Sequence, residues 1–278
     1  YMIIWLASYP KSGNTWLRLF LQSLMFNEEI LDINNIKIPQ FPQKFHFDGL
    51  VNNFDNLEEV TKQYINAQIK INSDKKIKFF KTHSAYWKAY NTRFTDEENT
   101  LGVIHIVRDP RNVITSVLNH FNKENYLEAF EFINDPAKVI FNKKYENTKF
   151  NTVISSWTNH YNSWKKFKKN NLLVQYEKLL SDPIFEFNKI CNFLNNIAGF
   201  NFEKDKILEA IEKCHFNNLQ RIEKENGFVE ASPDINGSNK KFFNLGPQND
   251  WKKILDKETI TKIENSFKNE MKELKYLD

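Results

Sequence analysis

The segment that most constrains this chain lies near its start. An apolar run, Ile3–Ala7, passes into Tyr9-Pro-Lys-Ser-Gly13, and Thr15–Phe26 then carries apolar residues at helical spacing through Trp16, Leu17, Leu19, Phe20 and Leu24. Strand, glycine-containing loop and helix in immediate succession bring backbone N–H groups and the positive end of a helix to one point. That arrangement suits a phosphate-like anion. The loop differs from the nucleoside-triphosphate form GxxxxGK[ST], because Lys11 precedes the one loop glycine, Gly13, and no acidic residue is placed to complete a magnesium site.

The strand–helix alternation recurs along the chain. Ile77–Lys81, Gly102–Val107 and Leu172–Tyr176 read as strands, and Asp109-Pro110 opens a helix reaching Phe121. Helical patterns cover Leu57–Ile71, Thr152–Lys169, Pro183–Leu194, Lys204–Cys214 and the tail from Asp250 to Leu277. Residues 27–56 read as an irregular excursion, and 122–150 show no assignable pattern and suit a mobile flap. Residues 222–249, with Gly227, Pro233, Gly237, Gly246 and Pro247, read as a loop long enough to serve function. The expectation is an α/β fold, one domain over residues 1–278, with a central mostly parallel sheet flanked by helices and a P-loop-like anion-binding loop.

A chain of 278 residues can enclose one large core. With 39 basic and 35 acidic side chains its net charge of +4 gives only a weak field, which fits a small anionic ligand and not a nucleic-acid polymer. Cys191 and Cys214 sit in apolar, helix-like stretches without metal-type spacing, so both read as reduced core thiols, and no ligand cluster calls for a metal. The run Met2–Ala7 is too short for a transmembrane segment and lacks the basic flank and cleavage pattern of a signal peptide. A cytoplasmic location is therefore expected.

Tyr9-Pro-Lys-Ser-Gly-Asn-Thr-Trp16 resembles the 5′-phosphosulfate-binding loop of the cytosolic-type sulfotransferase family, written YPKSGTTW, with Asn14 in place of a Thr. Four further stretches match in family order. Lys81-Thr-His83 resembles the motif that carries the family's catalytic His, and Val107–Ser116 resembles the motif whose Arg and Ser, here Arg108 and Ser116, bind a 3′-phosphate. Ser156–Trp164 resembles the helix beside the acceptor pocket. Its Trp157, His160, Tyr161 and Trp164 share one face, which core packing would equally require. Gln175–Leu179 resembles the segment whose Tyr, here Tyr176, reaches adenine. Phe242–Trp251 aligns without a gap to the closing element FFRKGxxGDW, but Asn244 and Leu245 replace its two basic residues. The chain is most similar to bacterial members of the family.

The resemblance implies an enzyme that moves a sulfo group from 3′-phosphoadenosine 5′-phosphosulfate (PAPS) to a hydroxyl or amine of a small-molecule or saccharide acceptor, leaving adenosine 3′,5′-bisphosphate (PAP), without a metal. It implies His83 as general base, Lys11 and Lys81 as cationic groups on the sulfo group and leaving oxygen, and Ser12, Gly13, Asn14 and Thr15 around the 5′ group. Trp16 is implied to stack on adenine. With the basic pair missing, Lys241 is the candidate third member of the 3′-phosphate site beside Arg108 and Ser116, and Gly246 keeps a tight backbone approach. The family's dimerisation motif is absent, with Asp256 and Lys257 at its Thr and Val positions, so oligomeric state is open. Two alternatives stand beside this reading: a nucleotide-binding protein without turnover, and a P-loop small-molecule kinase.

Overall fold

Six consecutive buried residues, Ile3–Ser8, form strand β1, and such a run is what a strand covered on both faces of a parallel sheet requires. The structure is a computed structural model that describes residues 2–26, 30–141, 151–233 and 237–278. Helix α1 (Asn14–Phe26) follows the loop after β1, and helices α2 (Leu57–Lys62) and α3 (Tyr64–Asn72) lead to β2 (Lys78–Thr82). A small hairpin of β3 (Lys88–Ala89) and β4 (Thr92–Arg93) precedes β5 (Thr100–Val107), and helices α4 (Pro110–His120) and α5 (Tyr126–Asn134) come next. Strands β6 (Val139–Phe141) and β7 (Asn151–Val153) form a second antiparallel pair, followed by α6 (Trp157–Lys165) and β8 (Asn171–Gln175). The chain ends in α7 (Tyr176–Ser181), α8 (Pro183–Ala198), α9 (Lys204–Lys213), α10 (Phe216–Asn226), α11 (Trp251–Ile254), α12 (Lys257–Ser266) and α13 (Lys268–Glu273).

The central sheet has the order β2-β1-β5-β8, and every pairing in it is parallel. From β1 the chain crosses to β2 on one side, whereas from β5 it crosses to β8 on the other. The order reverses between β1 and β5, and in open α/β sheets ligands bind outside the carboxyl ends of the strands at such a point. Side chains of β1 alternate as the pleat demands. Ile4 and Leu6 pack among Leu17, Phe20, Phe187 and Ile190, whereas Ile3, Trp5 and Ala7 pack among Phe41, Phe80, Phe94 and Trp164. The expected α/β fold with a parallel sheet between helices is the one observed.

Local boundaries differ from the sequence reading where capping and backbone geometry outweigh apolar periodicity. The single helix expected over Leu57–Ile71 is two helices meeting at Gln63. The helix expected from Thr152 begins only at Trp157, because Asn151–Val153 pairs with Val139–Phe141, Ser155 takes a positive φ of 60°, and Ser156 caps the helix through Asn159 N–H. Residues 122–141 hold α5, with Ala129, Phe132 and Ile133 buried, and strand β6. The rest of the expected flap, 142–150, lies outside the described residues. The start of the 222–249 loop belongs to α10, and the tail is three short helices. No described helix is long and apolar enough to cross a membrane.

Candidate active site

Four groups of side chains leave the carboxyl ends of the four central strands and meet around one cavity of about 1150 Å³. Lys11 follows β1, Lys81 and His83 lie at the end of β2, Arg108 follows β5, and Tyr176 follows β8. Parallel pairing is what brings them together, since it aligns the four strand ends on one edge. The cavity wall includes Lys11, Gly13, Asn14, Thr15, Trp16, Lys81, His83, Arg108, Ser116, Tyr176 and Gly246, which are eleven of the residues singled out from the sequence.

The loop is shaped by two residues with positive φ, Lys11 at 66° and Gly13 at 101°. A Cβ on Gly13 would also lie 2.5 Å from Tyr176 Cδ2, so glycine is required there both by backbone conformation and by close approach. Asn14 donates from Nδ2 to the Leu6 carbonyl at 2.8 Å and to Ser8 Oγ at 3.1 Å, tying the start of α1 to β1. Ser12 is fully buried beneath the loop and its hydroxyl has no protein partner. Asn14 Oδ1, Trp16 Nε1 and Arg108 Nε are likewise buried without one. Buried polar atoms are rarely left unpaired, and four of them around one loop fit a polar ligand seated there.

His83 donates from Nδ1 to the Ser8 carbonyl at 2.8 Å, which leaves Nε2 unprotonated in the neutral ring. Burial, reinforced by the Lys81 charge, holds its pKa well below the usual imidazole range, so the ring stays neutral at physiological pH. Lys11 sits with Nζ 3.9 Å from the centre of the Phe242 ring. Burial, then the nearby Arg108 and Lys81 charges, lowers its pKa to about 7. Lys81 is lowered to about 8, mainly by burial, with the Glu230 carboxylate opposing the shift. An anion arriving between Lys11 and Lys81 would restore full charge to both.

Arg108 Nη1 donates to the Lys11 carbonyl at 2.9 Å and to Ser116 Oγ at 3.3 Å, so the pair separated by eight residues does converge. The guanidinium lies 4.3 Å from the centre of the Tyr176 ring, and Trp157 Nε1 donates to the Arg108 carbonyl at 3.2 Å. Trp16 stands edge-on to Tyr176 and to Phe187, with ring centres 5.9 and 5.5 Å apart. Gly246 has φ of 49°, and a Cβ there would be 2.2 Å from the Phe216 ring. Its close neighbour is thus an aromatic side chain. Lys241 is exposed and not among the residues lining the cavity, whereas Lys240 donates from Nζ to the Asn119 carbonyl at 2.9 Å. His160 is buried against Tyr9, with ring centres 5.6 Å apart, and also lies away from the cavity wall, while Trp157 and Trp164 are core residues. Cys191 and Cys214 are buried free thiols, and burial raises both pKa values, Cys191 to about 12.

Three participants had no signal in the sequence. Arg18, one turn beyond Thr15 on α1, donates to the Ile38 carbonyl from Nε and Nη2 and pairs with Glu230 at 2.7 Å. Glu230 also accepts from Thr15 Oγ1 at 3.1 Å and lies 3.7 Å from Lys81 Nζ. Asn249 accepts from Thr115 Oγ1 at 2.8 Å and donates to the Asn112 carbonyl at 3.0 Å, fixing the closing segment against α4. Arg18 and Asn249 read as ordinary polar residues, and Glu230 meets them only because the chain returns across some two hundred positions.

The chain has relatives among known proteins. The chain is 25% identical to sulfotransferase 1B1 of the dog, an alignment covering 96% of this chain and 82% of the relative. It is 23% identical to flavonol 4′-sulfotransferase of Flaveria chlorifolia, over 94% and 76% of the two chains, and 24% identical to cytosolic sulfotransferase 3 of Arabidopsis thaliana, over 96% and 76%. These relatives are mammalian and plant proteins. Among solved structures, mouse sulfotransferase SULT7A1 complexed with PAP shares the fold at a TM-score of 0.59 and 19% identity, covering 97% of this chain and 84% of the other. Retinol dehydratase in complex with androsterone and inactive cofactor PAP superimposes at a TM-score of 0.60 and 16% identity, over 97% and 80%. A family model described as the sulfotransferase domain matches residues 3–275, nearly the whole chain, and the protein belongs to that family of enzymes.

Proposed function

We propose that this enzyme transfers the sulfo group of PAPS to a hydroxyl or amine of a small-molecule or saccharide acceptor and releases PAP. The observation that carries the reading is that Lys11, Lys81, His83, Arg108 and Ser116 line one cavity, with Arg108 Nη1 donating to both the Lys11 carbonyl and Ser116 Oγ. The unpaired buried atoms of Asn14, Trp16 and Arg108, all on the cavity wall, supply donors and an acceptor that a nucleotide would satisfy, whereas Ser12 lies behind the wall. PAPS supplies an activated sulfo group whose bond to the phosphate oxygen breaks as the acceptor's oxygen or nitrogen bonds to sulfur. His83 Nε2 takes the acceptor proton. Lys11 and Lys81 face the charge that grows on the leaving oxygen, by analogy with phosphoryl transfer, where positioning and electrostatics dominate.

Slightly larger than the usual range for ligand sites, the cavity has room for a nucleotide and a second molecule. Its wall also carries Gln40, Gln43, Asn239 and Thr152, amides and a hydroxyl that suit a polyhydroxylated acceptor such as a saccharide. A cytosolic setting is supported by the likeness to the Arabidopsis cytosolic enzyme.

The test is calorimetric titration with PAP and with adenosine 5′-monophosphate, followed by mass spectrometry of candidate acceptors incubated with PAPS. PAP is expected to bind roughly tenfold or more tightly than the monophosphate, and Arg108→Ala should remove most of that preference, since a charge-assisted hydrogen bond contributes about 1.5–3 kcal/mol. Lys241→Ala, measured in parallel, reads whether that exposed side chain reaches the 3′-phosphate. Absence of any preference in the wild type rejects the donor. Binding without transfer to any acceptor leaves a nucleotide-binding protein.

A further inference from the structure

Lys81 stands in unusual company for a cation meant to meet an anionic group. Lys81 shares the cavity's charge field with Lys11 from the loop, Arg18 from α1, His83 from beyond β2 and His120 from α4; Glu230 is the carboxylate that acts on Lys81, while Glu223 from α10 acts with it on Lys11. Glu230 is itself held firmly. Arg18 Nη1 lies 2.7 Å from one carboxylate oxygen, and Thr15 Oγ1 donates to the other at 3.1 Å. Arg18 is in turn fixed by two bonds to the Ile38 carbonyl, at 3.2 and 2.9 Å. The side chain of Arg18 is only 5% exposed, so the carboxylate is clamped between a rigid helix and the strand end that carries Lys81.

We propose that Glu230 is a positioning residue for sulfo transfer, whose carboxylate, anchored by Arg18 and Thr15, holds the Lys81 ammonium at the mouth of the phosphate loop and keeps it protonated before the donor arrives. The proposal rests on the sulfotransferase reading for the role of Lys81 but concerns a residue outside the family motifs. Burial alone would raise the pKa of Glu230, yet Lys81 and Arg18 outweigh it and keep the carboxyl well below the usual carboxylate range, so its charge persists wherever the enzyme works. Burial conversely works to strip the proton from Lys81, and the Glu230 charge opposes it. The contact at 3.7 Å is the longest of the three that Arg18, Thr15 and Lys81 make with Glu230, so shortening the side chain by one methylene weakens it first.

The experiment follows the ε-carbon of Lys81 by NMR in 13C-lysine-labelled protein, assigned by its loss in Lys81→Gln. Wild type is expected to titrate near pH 8. In Glu230→Gln the titration should move down by about 1–3 pH units, the usual effect of losing an opposite charge a few ångströms away. PAP affinity in the variant should then fall more between roughly pH 6 and roughly pH 8 than it does in wild type, because a larger share of Lys81 is neutral there. If Glu230→Gln does not fold because Arg18 is left without its counter-charge, Glu230→Asp keeps that charge while drawing it back from Lys81, and a smaller downward shift is expected. An unchanged Lys81 titration in the folded variant overturns the proposal. So does PAP binding that tightens equally at every pH, which would make Glu230 a competitor for the anion site. Failure of wild type to bind PAP at any pH would instead sink the donor assignment, while the Lys81 titration still reported on Glu230.

Discussion

Replacing His83 by alanine is expected to lower turnover by roughly two to four orders of magnitude, the usual contribution of a positioned general base, with PAP affinity close to wild type. The structural ground is the hydrogen bond from Nδ1 to the Ser8 carbonyl, which fixes the ring and leaves Nε2 free to accept a proton. Asn14 Nδ2 on Ser8 Oγ braces the same strand end, so the His83 ring and the loop after β1 are anchored together. The pH dependence follows from the depressed pKa. The imidazole works as a base only when neutral, and burial with the Lys81 charge keeps it neutral well below the usual histidine range. An acid limb near the ordinary imidazole pKa is therefore not expected from His83, and activity should persist at lower pH than a solvated histidine would allow. Single-turnover rates with the acceptor found by mass spectrometry check both points. A rate for the alanine variant within a few-fold of wild type removes His83 from the base role.

Lys11→Met should depress the maximal rate by roughly 100- to 1,000-fold, comparable to loss of one preorganised group facing a developing negative charge. PAP affinity should change much less, because the charge on the bridging oxygen grows only as the sulfo group departs. The surroundings of Lys11 prepare this. Burial beside Arg108 and Lys81 lowers Lys11 to about 7, and its ammonium rests on the Phe242 ring. Binding of an anion favours the protonated form, so only a shallow decline in donor affinity is expected as pH rises through about 7, matching the small effect of Lys11→Met on PAP. A variant in which only the donor Michaelis constant rises would make Lys11 a ground-state ligand and not a participant in the transition state.

What could be read from the sequence follows from how local each signal is. The loop Tyr9–Trp16 was legible because its chemistry depends on consecutive residues between a strand and a helix, and the structure places Lys11 and Gly13 in the positive-φ conformations that open such a loop. The βα alternation was legible for the same reason, and with it the four strand ends that carry Lys11, His83, Arg108 and Tyr176. Residues 122–141 and the hairpin of β6 with β7 were not legible, since that pairing and the burial of α5 against its neighbours outweigh a weak local pattern. The placement of Lys241 and of Lys240 likewise depends on how the closing segment returns to α4, which Asn249 and Asn119 settle through contacts across more than a hundred positions. Arg18 and Glu230 are the sharpest case. Each is an ordinary polar residue in its own segment, and only the tertiary fold, by burying them together beside Thr15 and Lys81, turns them into a charge pair that cannot be separated without cost. Short-range patterns carried the loop, the parallel α/β architecture and the family, whereas which charges share the cavity depended on the tertiary fold, because electrostatic interactions gain strength only where burial removes the water that would screen them.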